Sequence, residues 1–133
     1  MSREIKFRVW NGHEMCLVLQ IHFDVGELLC ESMGIMKVKF LLTMPKFKLM
    51  QFTGLHDRNG VEIYEGDVLA PSPERGKHGN RVCEYIDGSF CYSPPIGNKG
   101  WWALNRSKCK YFEVIGNVHQ HPELLTAKED SHD

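Results

Sequence analysis

The hydrophobic positions of this chain recur mostly with a period of two. In "REIKFRVW", Ile5, Phe7 and Val9 fall on one side and Lys6, Arg8 and Trp10 on the other, the alternation of a half-buried strand. Asn11-Gly12 marks a turn that needs positive φ, and residues 15–23 ("MCLVLQIHF") return as a second strand. Residues 24–34 ("DVGELLCESMG") interrupt the alternation. Leu28, Leu29 and Cys30 fit one turn of helix ended by Gly34, so a short helix or an ordered loop is expected there. Two more strand patterns follow, Lys37 and Lys39 alternating with Val38 and Phe40, then Lys46 and Lys48 with Phe47 and Leu49. Pro45 cannot donate to a ladder and is expected at a break or an edge.

The middle of the chain, "FTGLHDRNGVEIYEGDVL", reads as a hairpin turning at residues 57–60, because Asn-Gly between alternating flanks is a strong local hairpin signal. Gly66 inside a strand pattern predicts a bulge or a sharp corner, the device by which short strands bend around a barrel. Residues 70–81 form a polar loop with two prolines and two glycines, expected among the most mobile parts. "VCEYIDGSFCYSP" is a second hairpin turning at Asp87-Gly88. Residues 94–100 are a loop, "WWAL" a short strand, "NRSKCK" a turn and "YFEVIGNVH" a last strand interrupted by glycine. "PELL" opens a helical turn with Pro122 at its first position, where the missing N–H costs least. These elements predict a mainly β protein: one domain over residues 1–125, a small barrel with additional N-terminal strands and one or two short helices. Residues 126–133 are expected to be a flexible tail.

Composition narrows the classes further. A length of 133 residues suits one domain, and a net charge of −1 excludes a strongly basic chain that coats nucleic acid by charge alone. No apolar run approaches the roughly 20 residues needed to span a bilayer, and no export signal opens the chain. The five cysteines have no CxxC spacing and read as reduced, packed thiols of a cytoplasmic protein.

Three blocks, "REIKFRVW", "MQFTGLHDRNGVEIYEGDVL" and "FEVIGNVHQHPELL", resemble the YopX family of phage and prophage proteins, in that family's order. Departures lie in residues 15–37 and 70–111. The resemblance implies an SH3-like small β-barrel, a phage or prophage origin in a bacterial host cell, and homo-oligomeric assembly. It carries no catalytic residue with it.

The residues themselves argue against most chemistry. Gly54, Gly60 and Gly66 recur every six positions, which fits neither a dinucleotide fingerprint nor a P-loop, so turn geometry is their expected role. Glu62, Glu65 and Asp67 are expected on an exposed acidic strand edge, with Asp67 bonding nearby backbone N–H groups. His119 and His121 would share a face on a strand, but His22, His56, His78 and the cysteines show no ligand spacing to complete a zinc site. Cys109, between Lys108 and Lys110, is read as an inert thiol on a strand near a basic turn. No catalytic residue, metal site or cofactor is assigned, and the chain is read as a non-enzyme.

One region stands out. Residues 88–112 hold no acidic residue and four basic ones, Lys99, Arg106, Lys108 and Lys110, interleaved with Trp101, Trp102, Tyr111 and Phe112. Adjacent tryptophans on a strand face opposite sides, so at most one is expected to fill the core. Trp101, Trp102, Arg106, Lys108 and Lys110 are the candidate binding residues. Rings and cations together suit a subunit or protein interface. They equally suit base stacking with phosphate neutralisation, and nucleic acid is the alternative partner. A core Trp, a loop-covered Trp and a solvated basic face would need no partner. The Lys37–Lys39 and Lys46–Lys48 alternations are expected to guard strand edges against aggregation.

Overall fold

The computed structural model of the chain describes residues 4–32, 34–41, 46–72, 79–93 and 100–125. It is mainly β, with antiparallel sheets in two compact units, Met1–Phe52 and Thr53–Asp133.

In the first unit, β1 (Phe7–Trp10), β2 (Met15–His22), β3 (Glu27–Ser32), β4 (Met36–Leu41) and the start of β5 (Lys48–His56) lie in the order β4-β3-β2-β1-β5. Asn11 closes the β1–β2 turn through its side-chain oxygen, which accepts the His13 and Glu14 N–H groups at 2.7 and 2.8 Å. The alternation at the start holds from Phe7 onward, whereas Ile5 precedes the strand and is exposed. The short helix or loop expected over residues 24–34 is instead a turn and a strand. Leu28, Cys30 and Ser32 are buried in alternation, the period of β3. Gly26, at φ +70°, completes the turn that sends β3 back along β2. Val9, Cys16, Leu28 and Cys30 form the core, flanked by Val18, Ile21, Val38, Phe40 and Phe47, with Phe40 and Phe47 edge to face at 4.5 Å. At its margin the Ser32 hydroxyl and the Cys16 thiol both donate to the Glu14 carboxylate. Pro45 lies outside the described residues.

In the second unit, the end of β5 leads through the 57–60 turn to β6 (Glu62–Tyr64). A five-stranded sheet follows in the order β10-β9-β8-β7-β11. Its strands are β7 (Asp67–Pro71), β8 (Arg81–Ile86), β9 (Ser89–Tyr92), β10 (Trp102–Ala103) and β11 (Phe112–Asn117). Among the described residues no strand pair joins β10 to β11, so a closed barrel is not part of the observed pairing. Ala70 and Pro71, expected in a polar loop, extend β7, and Arg81 opens β8; residues 73–78 lie outside the described residues. "NRSKCK", expected to be a plain turn, forms a one-turn helix, α1 (Arg106–Cys109), because the Asn105 side chain caps it by accepting the Lys108 N–H at 3.0 Å. Pro122–Leu125 is a 3-10 turn.

Two buried carboxylates hold this unit's turns. Asp57 accepts the Asn59 and Val61 N–H groups through one oxygen, at 2.8 and 2.9 Å, and the Val114 N–H of β11 through the other at 2.8 Å. Arg58 adds a backbone bond to the Phe112 carbonyl and a half-exposed ion pair with Glu113. Gly60, at φ +84°, takes the conformation that a side chain resists. Asp67 is fully buried rather than on an exposed acidic edge, and accepts the Tyr64 N–H at 2.7 Å around the Gly66 corner.

In β11 the register shifts between Val114 and Gly116. There His121 and Leu124 press onto the glycine: a Cβ at 116 would stand 2.6 Å from His121 Nδ1. The Asn117 N–H donates to that same nitrogen at 3.3 Å.

Replacing Asp57 by Ala leaves three backbone donors without their acceptor and is expected to lower unfolding free energy by about 3 kcal/mol. Gly60→Ala meets open space but an unfavourable φ and should cost about 1 kcal/mol. Chemical denaturation compares the two; equal losses would show that Asp57 is not the stronger determinant.

All five cysteines are buried, and none forms a disulfide. Burial pushes the Cys30 and Cys109 thiols from 9.0 up to about 11, with smaller contributions from Cys16 and Asp57 respectively. Burial, then the Glu14 carboxylate, also raises Cys16. An acid whose folded pKa is raised ionises first in the unfolded chain. The stability it supports is therefore complete below pH 9.0 and lost as pH climbs towards about 11. Denaturation midpoints should fall across that window, and Cys30→Ala with Cys109→Ala should flatten the fall relative to the parent.

Candidate functional site

The sheet of the second unit ends at β10, and its register explains what gathers there. Trp102 stands opposite Tyr92, and Tyr92 opposite Cys83, so the three share one face across β10, β9 and β8. That face is the core side, where Cys83 and Tyr92 pack with Ile63, Leu69, Leu104, Cys109 and Phe112. Trp102 thus forms the rim of the core. Neither tryptophan fills the interior: Trp101 is 42% and Trp102 40% exposed. That agrees with the expectation that at most one of them fills the core, whereas the reading with one core Trp does not hold. Strand β10 is only two residues long, and among the described residues it has a sheet neighbour on one side alone.

A cationic cluster is built on these rings. Arg81, opposite Leu69 on β7, projects to the same face as Cys83 and is 6% exposed. Its guanidinium lies 5.6 Å from the ring centroids of both Tyr92 and Trp102, and its Nε donates to the Gly79 carbonyl at 3.3 Å. A planar, weakly hydrated guanidinium tolerates this burial where an ammonium would not. Lys108, carried on α1, approaches the same ring, with its Nζ 3.3 Å from the Tyr92 hydroxyl and 5.7 Å from the ring centre. Tyr92 also meets Trp102 at 5.6 Å and Phe112 at 5.0 Å. Tyr92 is therefore the hub.

Of the five candidate residues, the structure brings Trp102 and Lys108 together around Tyr92. Trp101 is exposed beside them in sequence, Arg106 is exposed at the start of α1, and Lys110 lies over Tyr111 at 5.2 Å. Lys99 lies outside the described residues. The residues missed from sequence are Arg81 and Tyr92. The signal was available: in "RVCEYI" Arg81 sits two positions before Cys83, on the face of a strand that buries its cysteine. Assigning residues 70–81 to a loop concealed it.

The remaining constellations are structural. Cys109 lies on α1 and not on a strand, and burial, with a smaller push from the Asp57 carboxylate, raises its thiol to about 11. His119 and His121 follow β11 in a turn, so they do not share a strand face as the spacing suggested. The His119 N–H donates to Asn117 Oδ1, and His121 accepts from the Asn117 N–H. Among the described residues no group of three His, Cys, Asp or Glu side chains converges as a metal site. No helix among them is long and apolar enough to cross a membrane.

Comparison with known proteins places this architecture. The structure resembles protein EF1440 from Enterococcus faecalis at a TM-score of 0.59 and 28% identity, covering 94% of this chain and 100% of that one. It also resembles protein yopX from Bacillus subtilis at a TM-score of 0.64 and 22% identity, over 91% of this chain and 98% of that one. No curated protein matches the sequence. The sequence matches the family described as YopX protein over residues 6–126, nearly its whole length, and the chain belongs to the YopX family.

Proposed function

We propose that this protein is a non-catalytic interaction module that self-associates through the β10 rim, acting in the cytoplasm of a bacterial host during phage or prophage growth. One observation carries the proposal: adjacent tryptophans stand substantially exposed where a sheet ends. Covering the remaining surface of such a ring stabilises by about 2 kcal/mol, at roughly 25 cal/mol per Å². Two exposed indoles adjacent in sequence, one of them packed on the Tyr92 hub, have the character of a hot spot. A two-fold partner would present the same pair in return, and a second copy is therefore the favoured occupant. Another protein of the same system is the other occupant in this class. The Cys30 and Cys109 thiols, pushed up to about 11 by burial, are poor nucleophiles, which supports a non-catalytic role. The SH3-like barrel implied by the sequence resemblance belongs to this proposal as the scaffold type.

A nucleic-acid reading draws support from exposed Arg106 and Lys110 near exposed rings. It is weaker for two reasons. Arg81 and Lys108 already spend their charge on Tyr92 and Trp102, and the chain as a whole carries a net charge of −1.

Light scattering of the full chain at about 100 µM is expected to give a multiple of 15.4 kDa. W101A/W102A should return the monomer mass with its circular dichroism unchanged. A monomeric parent that captures no protein would overturn the proposal. A salt-sensitive shift of a labelled oligonucleotide, lost in R106A/K110A, would instead favour nucleic acid.

A further inference from the structure

The first unit has an edge of a different chemistry. We propose that the outer edge of β4 docks an extended segment of another protein in which acidic and apolar residues alternate, added to the sheet as a further strand. β4 ends the strand order and pairs with β3 through Met36–Leu41 on one side; among the described residues no strand lies on its other side. A strand edge left this way presents backbone donors and acceptors to an incoming chain.

The two faces of β4 specify what that chain must carry. On one face Val38 stands opposite Cys30 and Phe40 opposite Leu28. Cys30 and Leu28 are fully buried, yet Val38 and Phe40 are only half-buried and Met36 is exposed. The apolar core thus runs out to the edge, where Phe47 covers part of Phe40 while Val38 stays half-buried and Met36 exposed. On the other face Lys37 and Lys39 are both exposed. Lys37 has Glu31 directly opposite on β3, whereas Lys39 faces Leu29. Glu27, opposite Leu41, lies one diagonal step from Lys39, so both carboxylates stand on the inner side towards β3, and the outer side of β4 presents the two ammonium groups to an incoming strand. A neighbouring strand that extends the core beside Val38 and Phe40 must, by the two-residue period, place its alternate side chains beside the lysines.

A second copy of β4 does not meet that demand. An antiparallel copy centred on Val38 sets Lys37 against Lys39 of its partner twice, and like charges directly opposite destabilise a pair. A shift of one residue puts lysines beside apolar side chains instead. The lysines that keep copies apart are therefore the ones that select an acidic strand, repulsion and attraction working in the same place. Polyphosphate backbone would satisfy the lysines but leave Val38, Phe40 and Met36 uncovered, so a peptide fits better.

The test uses the full chain, labelled with nitrogen-15, and two synthetic peptides in which valine alternates with glutamate or with lysine. The glutamate peptide is expected to shift the amide resonances of Met36–Leu41 saturably and to lose affinity as salt rises. K37E/K39E should weaken it about tenfold and gain the lysine peptide, an exchange of preference that general loss of structure cannot produce. If the double reversal fails to fold, K37Q/K39Q serves, with the glutamate peptide weakened and its salt dependence flattened. No shift in β4 at about 1 mM peptide, equal binding of both peptides by the parent, or preferential binding of an oligonucleotide at β4 would each overturn the proposal.

Discussion

The second unit depends on a carboxylate that accepts three backbone N–H groups. Asp57 holds its own turn with one oxygen and β11 with the other, so a local reversal and a contact more than fifty residues away are made by the same group. A buried carboxylate is costly unless its lone pairs are met, and here backbone N–H groups meet them. The hairpin cannot form with its Asx turn and leave β11 elsewhere without losing one of these bonds. Asp67 repeats the device on a smaller scale at the next corner. With the corners fixed by polar groups, the apolar side chains of β7, β8 and β11 have their facing positions set for them, and Leu69, Cys83 and Phe112 pack without further instruction.

The rim at β10 follows from where that core stops. Tyr92 is large enough to belong both to the interior and to the margin. Its inner edge meets Phe112, and its face and hydroxyl are left for Trp102, Arg81 and Lys108. Cations drawn onto the ring faces stiffen the margin and shield the hub, while the indoles outside them keep surface in water. The β4 edge ends in the opposite way, with lysines on one face and thinly covered aliphatic side chains on the other. Strand edges in this protein are thus chemically distinct, and each excludes a different set of neighbours.

Much of the architecture was legible in the sequence because its turns carry unambiguous chemistry. Asn11-Gly12, the 57–60 turn and Asp87-Gly88 all reverse the chain where expected, and at the last both residues have positive φ, +52° and +87°. The failures have physical causes. Residues 24–34 suggested a helix because Leu28, Leu29 and Cys30 are contiguous, but packing on β2 selects only alternate residues, a tertiary demand that outweighs local propensity. Arg81 closes a polar stretch with two prolines and two glycines that reads as loop, and only the neighbouring rings make its burial tolerable. The candidate site was half visible. Its tryptophans and Lys108 announce themselves as a cluster in sequence, whereas Tyr92 reaches them only through strand pairing, which composition cannot reveal.

Gly116 shows how a position can be fixed from outside its own strand. Its neighbourhood is occupied by the imidazole of His121 and the end of Leu124, so the absence of a side chain is a hollow into which the following turn is keyed. Sequence drift in the "HQHPELL" segment is therefore tethered to a single atom-sized vacancy upstream. A lineage that enlarges residue 116 must shrink or re-aim residue 121 in the same step, and the two sites should vary together or not at all.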